Sequence, residues 1–126
     1  MRYVLAVKSP IYGSQGAFLA YQFACELLKC GHQIQQIFFF REGISNGNAF
    51  ISPANDEVNL LRKWQELHQT QAIPLHLCIA AAQRRGVVDP STSLLPEQQN
   101  LAEGFVLAGL GEFSQAILQA DRVITL

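Results

Sequence analysis

The sequence predicts an α/β fold: a three-layer α/β/α sandwich around a five-stranded, mainly parallel sheet. Three observations carry that expectation. Short apolar runs alternate with segments of helical periodicity from one end of the chain to the other. The runs are nearly continuous in hydrophobicity, as strands covered on both faces are. Each run is joined to the next through a helix or a long loop, which is the connection that parallel neighbours need. No internal repeat, low-complexity tract or linker divides the chain. Residues 1–126 therefore read as one domain, long enough to close a single core.

Tyr3 to Val7 is the first strand, and Lys8 to Gly16, broken by Pro10 and Gly13, is a loop. From Ala17 to Lys29, residues Ala20, Phe23, Ala24, Leu27 and Leu28 recur at helical spacing, with Gly31 placed to stop the helix. Gln33 to Phe40 is the second strand, closing on Ile37-Phe38-Phe39-Phe40. Arg41 to Ala54 is rich in Gly, Asn and Ser and reads as loop. Asn55 is placed to cap the next helix, with Asp56 and Glu57 in a first turn whose dipole they complement. Val58, Leu61, Trp64 and Leu67 give that helix its apolar stripe through Gln69. Pro74 to Ile79 is the third strand, and Ala80 to Arg85 begins a helix. Val87 to Asn100 holds Pro90 and Pro96 and is expected to be loop with a short helical piece. Phe105 to Ala108 is a fourth strand. Phe113, Ala116, Ile117 and Ala120 mark a last amphipathic helix, and Arg122 to Leu126 closes as the fifth strand.

Composition excludes several classes of function. Nine Lys and Arg against ten Asp and Glu give a net charge of −1, with no electrostatic footprint for nucleic acid, so direct RNA binding is not expected. Met1 to Val7 is apolar but too short for a signal peptide or a membrane span, and no other segment reaches membrane length without charges. Three cysteines, Cys25, Cys30 and Cys78, form no close C-x-x-C pair. Neither a disulfide framework nor a metal site is expected, no cofactor is implied, and a reducing cytoplasm is the expected compartment. Charged residues make up 15% of the chain, below the usual quarter or so for a soluble domain. So little charge covers a surface poorly, and part of the apolar surface is expected to be buried against other subunits.

Cys78 is the residue whose position points to chemistry. It ends an apolar run and precedes Ala80-Ala81-Ala82-Gln83-Arg84-Arg85-Gly86. In open parallel sheets, sites collect outside the carboxyl ends of the strands, where loops enter helices. A helix starting there turns its free N–H groups and positive end towards the sulfur, a setting that favours the nucleophilic thiolate. Arg84 and Arg85 would add positive potential if they turn the same way. Core filling stands beside this reading. Free cysteine is among the most often buried residues, and Leu75, Leu77 and Ile79 around it look like core. Cys25 and Cys30 sit within or at the end of the first helix, and packing is the expected role of both. His76 would share a strand face with Cys78, and a cysteine–histidine pair can activate sulfur, although a strand histidine is ordinarily structural. Tyr12-Gly-Ser-Gln-Gly16 is neither G-x-G-x-x-G nor a Walker loop and reads as a plain turn. Arg41-Glu42-Gly43 and the Asn-rich stretch after it could meet a partner, with a solvated loop as the default reading.

Four segments taken together resemble the DsrE/TusD family of sulfur-relay proteins. They are SPIYGSQGAFLAYQFACELLKCGH, IFFFREGISNGNAFISPANDEVNLLRKWQEL, CIAAAQRRGVVD and GLGEFSQAILQADRV, in order along essentially the whole chain. FFFREGISNGNAFISPANDE looks closer to TusD than to the DsrE of sulfur-oxidising bacteria, while CIAAAQRRG fits either. The resemblance implies that Cys78, in the C-[IV]-A-A-A-x-R-R-G segment, accepts sulfur as a persulfide. It implies a cytoplasmic sulfurtransferase working in a heterohexamer with TusB-like and TusC-like chains. Sulfur would come from a TusA-like donor and leave to a TusE-like acceptor, for 2-thiolation of wobble uridine in tRNA. No role comes with it for Cys25, Cys30 or His76. A DsrE-like part in sulfur oxidation, or a non-catalytic assembly or flavin- or nucleotide-binding module, are the competing readings.

Overall fold

Among the residues that the computed structural model describes, 1–95 and 97–126, the apolar runs pair into one five-stranded sheet with every neighbouring pair parallel. Pro96, expected to break the loop before the fourth strand, lies outside the described residues. The strands β1 (Arg2–Val7), β2 (Gln33–Phe39), β3 (Leu75–Cys78), β4 (Phe105–Ala108) and β5 (Arg122–Thr125) stand in the spatial order β4-β3-β2-β1-β5. Between them run helices α1 (Gly16–Lys29), α2 (Leu60–Gln71), α3 (Ile79–Arg84) and α4 (Leu110–Gln119).

Strand order decides the layers. From β1 to β4 the chain steps one way across the sheet, so right-handed crossovers place α1 and α2 on one face. β5 returns to the far side of β1, and α4 must cross the opposite face to deliver it. The pleat then sorts the side chains. Leu5, Ile37, Leu75 and Phe105 are register partners across four strands, and all four lie in the core under α1 and α2. Ala6, Phe38, His76 and Val106 form the next row and point the other way, where Phe38 stacks on Phe113 of α4 with ring centroids 4.1 Å apart. On the α1–α2 side Trp64 receives the edges of Tyr21 and Phe39 at 5.5 and 5.2 Å.

Local chemistry sets the helix ends. Gly31 takes φ +84, and its N–H bonds the Leu28 carbonyl at 3.1 Å while the His32 N–H bonds that of Leu27 at 3.0 Å. That pair of reversed bonds closes α1, and glycine adopts the required left-handed backbone without strain. α2 starts later than the sequence predicts. Asn59 is its cap, accepting from the Arg62 N–H at 3.1 Å, and Asn55 is not. The reason lies with Glu57, whose carboxylate takes the Ala54 N–H at 2.7 Å and the Tyr12 hydroxyl at 2.9 Å. Those bonds tie residues 54–57 to the loop after β1 and keep them out of the helix. Val87 to Asn100 shows turns and no helical piece among its described residues. Asn100 holds this loop by accepting from the Val88 N–H and donating to the Gly86 carbonyl.

The segment after β2 is a 3-10 turn, Arg41–Gly47, where the sequence predicts plain loop. It is anchored by Asn46, which is fully buried. The Asn46 amide donates to the carbonyls of Gly43 and Ser9 at 2.9 and 3.1 Å and accepts from Trp64 Nε1 at 3.1 Å. Gly43 lies so close to β1 that a Cβ there would fall 2.2 Å from the Val7 carbonyl oxygen. The turn is thereby pinned across the carboxyl ends of the strands. Asn46→Ala strands a buried indole N–H and two carbonyls and is expected to cost about 3 kcal/mol, seen as a lower urea midpoint at unchanged slope. A double-mutant cycle with Trp64→Phe should show a coupling of about 1 kcal/mol; simple additivity would contradict this role for Asn46.

Candidate functional site

Cys78 is the last residue of β3 and the N-cap position of α3. Leu75 and Leu77 of the same strand are buried in the core, so alternation sends His76 and Cys78 to the α4 face. Both sequence readings of the cysteine have a physical counterpart here. The side chain packs on the edge of the core, yet it is half-buried and lines an open cleft of about 500 Å³.

The cleft exists because one helix covers this face among the described elements. α4 crosses near the middle of the sheet and has no fully buried residue; its Leu110 is 63% exposed. Ala6 and Phe38 of the sheet form the floor, and Leu110, Phe113 and Ile117 form the α4 wall. Arg41, Arg84 and Arg85 line the same cleft. Both arginines of the Arg84-Arg85 pair thus turn to the side that the cysteine occupies.

Arg85 is clamped. Its guanidinium meets the Glu42 carboxylate through two bonds of 3.0 and 3.2 Å and donates to the Ala81 carbonyl at 3.1 Å. The Glu42 bond holds the guanidinium above its ordinary pKa. The same bond holds the Glu42 carboxyl below its ordinary value. This pair joins the 3-10 turn to the end of α3 and fixes the cleft's mouth.

His76 shares the strand face with Cys78 but not the cleft. Its Nδ1 lies 3.9 Å from Glu112 Oε2, is buried, and has no hydrogen-bond partner among the described residues. Burial pushes its pKa below the ordinary value, and Glu112 opposes that weakly. The cysteine–histidine pair that the spacing allows is not formed. Cys25 packs half-buried on α1 beside Tyr21, whose hydroxyl burial pushes up to about 12 with Cys25 as the next cause. Cys30, exposed, is the C-cap position of α1. Neither reaches the cleft. Residues 12–15 form a bend that leads into α1, with the Gly16 N–H bonded to the Ser14 hydroxyl at 3.3 Å and the Tyr12 hydroxyl held by Glu57. The described residues of the loop after Arg85 line a different cavity, and beyond Arg85 none of them lines the Cys78 cleft.

Sequence reasoning missed Phe40, Arg41, Leu110 and Val123 as cleft residues. For Phe40 the signal was available, since residues 38 and 40 have the parity of the α4 face. Chemically the arrangement offers a reachable nucleophile at a sheet edge, bounded by hydrocarbon on one side and guanidinium groups on the other. No group of three or more His, Cys, Asp or Glu able to hold a metal occurs among the described residues. No described helix is long and apolar enough to cross a membrane.

The chain is similar to known proteins over its full length. The model of the DsrE/DsrF-like family matches residues 1–126. A Haemophilus influenzae protein named sulfurtransferase TusD homolog is 67% identical over 126 residues, covering all of both chains. A protein of the same name from Pasteurella multocida is 64% identical over the same span, again covering all of both. Among solved structures, the ychN protein from E. coli superposes with a TM-score of 0.77 at 25% identity, covering the whole of each chain.

The half-buried His76, on the same strand face but outside the cleft, gives the fold a pH signature. In the unfolded chain His76 takes up a proton near its ordinary 6.5, and in the folded protein only at lower pH. The unfolded state therefore binds more protons as pH falls through about 6.5, so this contribution to stability is full above that value and is lost below it. The urea midpoint should drop more steeply between about pH 7 and pH 5 in the parent protein than in His76→Asn; equal slopes would contradict the burial of a neutral ring.

Proposed function

As a member of the DsrE/DsrF-like family, this chain is a sulfur-relay sulfurtransferase, and we propose that Cys78 is the residue that carries the sulfur. The observation that carries the proposal is the position of the thiol: last in β3, half-buried, and lining a cleft open to a partner.

The chemistry is thiol exchange at a sulfane sulfur. The Cys78 thiolate attacks the outer sulfur of a donor persulfide, R–S–SH. A new S–S bond forms to Cys78 as the donor's S–S bond breaks, and the donor leaves as its thiolate with the bonding pair. The product is Cys78–S–SH. An acceptor thiolate then attacks that outer sulfur and releases Cys78 as thiolate. No net oxidation occurs, and a single cysteine completes the cycle. In this reading the chain contributes a nucleophile with access, while Arg41 and Arg84 line the same cleft with positive charge and Arg85, paired with Glu42, braces its rim.

The donor is a TusA-like protein and the acceptor a TusE-like protein, with the sulfur destined for the 2-thiolation of wobble uridine in tRNA. TusB-like and TusC-like chains complete a cytoplasmic heterohexamer. Support for this pathway is the name shared by relatives at 67% and 64% identity. Apolar side chains left at the surface, Leu118 at 84% and Val106 at 50% exposed, favour a chain that works inside an assembly. Net charge of −1 fits a subunit that hands sulfur to proteins and does not grip RNA.

Incubation with a persulfide donor followed by non-reducing peptide mapping tests the proposal. A gain of one sulfur atom, removed by reductant, is expected on the Cys78 peptide and is expected to be absent from Cys78→Ser. Sulfur found on Cys25 or Cys30 instead would defeat it.

A further inference from the structure

The Cys78 cleft has two chemically different halves. Phe38, Phe40, Leu110, Phe113 and Ile117 present hydrocarbon. Arg41, Arg84 and Arg85 present positive charge, and no carboxylate lines the cleft among the described residues. Glu42 neutralises Arg85 through its two-point contact. Arg41 and Arg84 make no ion pair and no side-chain hydrogen bond with any described residue. Three guanidinium groups thus share one nearby carboxylate, Glu42, which pairs with Arg85 and feels the Arg41 charge from further off, and net positive charge is left beside an apolar recess that contains the Cys78 sulfur. Charges beside low-dielectric walls act more strongly than charges in open water, and they favour an incoming anion. Arg41 also holds a left-handed backbone, φ +51, uncommon for a residue with a side chain and found at the point where β2 gives way to the pinned 3-10 turn.

We infer that the Cys78 cleft selects a polypeptide sulfur carrier whose persulfide cysteine is flanked by an apolar side chain and a carboxylate, with Arg41 and Arg84 positioning the carboxylate. The inference rests on the reading of Cys78 as the sulfur-carrying residue and adds what the carrier must present beside its persulfide. The apolar side chain enters between Phe38 and the α4 wall. The carboxylate meets the Arg41 and Arg84 guanidinium groups, and the persulfide is brought to Cys78 with its outer sulfur foremost. Arg85 has its charge satisfied by Glu42 and serves as the brace of the rim.

Two measurements on the full chain test this. The first compares alkylation of Cys78 by iodoacetate and iodoacetamide, read on the Cys78 peptide. The two reagents share a reactive carbon and a leaving group and differ in charge, so their rate ratio cancels any change in thiol ionisation. The iodoacetate-to-iodoacetamide ratio should fall about threefold in Arg84→Gln and again in the double variant with Arg41→Gln. It should not change in Arg62→Gln, an exposed arginine on α2 away from the cleft. A ratio unchanged in the double variant overturns the charge selection.

The second uses persulfide peptides Leu-Cys-Glu, Leu-Cys-Gln and Ser-Cys-Glu with blocked ends, scored by sulfur transfer to Cys78. Replacing Glu or Leu should slow transfer to the parent protein. The Glu-to-Gln penalty should disappear in the Arg41→Gln, Arg84→Gln variant. Equal rates for all three peptides overturn the selection and leave the relay standing. Transfer from none of them, while the alkylation ratio still responds to the arginines, defeats the relay at Cys78 and with it the carrier assignment.

Discussion

The pleat of β3 decides what this protein can do with its sulfur. Four residues, Leu75 to Cys78, alternate between a packed interior and a thinly covered face. The two leucines are held by the core under α1 and α2, and each fully buried leucine contributes on the order of 2 kcal/mol to keeping the strand in that register. A slip by one residue would exchange the faces, burying the thiol and exposing the leucines. The core thus fixes the direction of Cys78 without touching its chemistry. That is why a cysteine flanked by core-like residues can still be open to a partner.

Strand order supplies the space. Because β5 lies beside β1, the final helix spans the sheet alone among the described elements of that face. Its fit is a stack of Phe113 on Phe38, with room left at the carboxyl edge. The 3-10 turn then borders the opening. Asn46 locks the turn to Trp64, the turn presents Glu42, and Glu42 holds Arg85. A chain of hydrogen bonds from the buried indole to the rim thereby keeps one arginine braced, while Arg41 and Arg84 form no direct ion pair among the described residues. Packing, polar satisfaction and charge each have a separate task in the same site.

Much of this was legible in the residues, for identifiable reasons. The five strands announce themselves because a parallel sheet buries both faces of its central strands, leaving runs such as YVLAV and IFFF with little to imitate them. Gly31 marks the end of α1 because a left-handed residue is needed there. Parity alone placed His76 and Cys78 on one face. What parity could not give was distance: His76 lies outside the cleft, near Glu112. The cap of α2 was misplaced by four residues because Asn55 and Asn59 are equally good caps in isolation, and the choice is made by Glu57 bonding to Tyr12 across the chain. Arg41 is singled out with its loop but not tied to Cys78, since its environment is assembled from β2, α3 and α4, which are far apart in sequence.

The most direct measurement follows one sulfur atom in time. Isotopically labelled sulfane sulfur supplied by a TusA-like donor, in the presence of a TusE-like acceptor, should appear first on Cys78. It should then decline there as label accumulates on the acceptor cysteine, with the decline at least as fast as overall transfer. Label reaching the acceptor before Cys78, or remaining on Cys78 while the acceptor fills, would contradict the account.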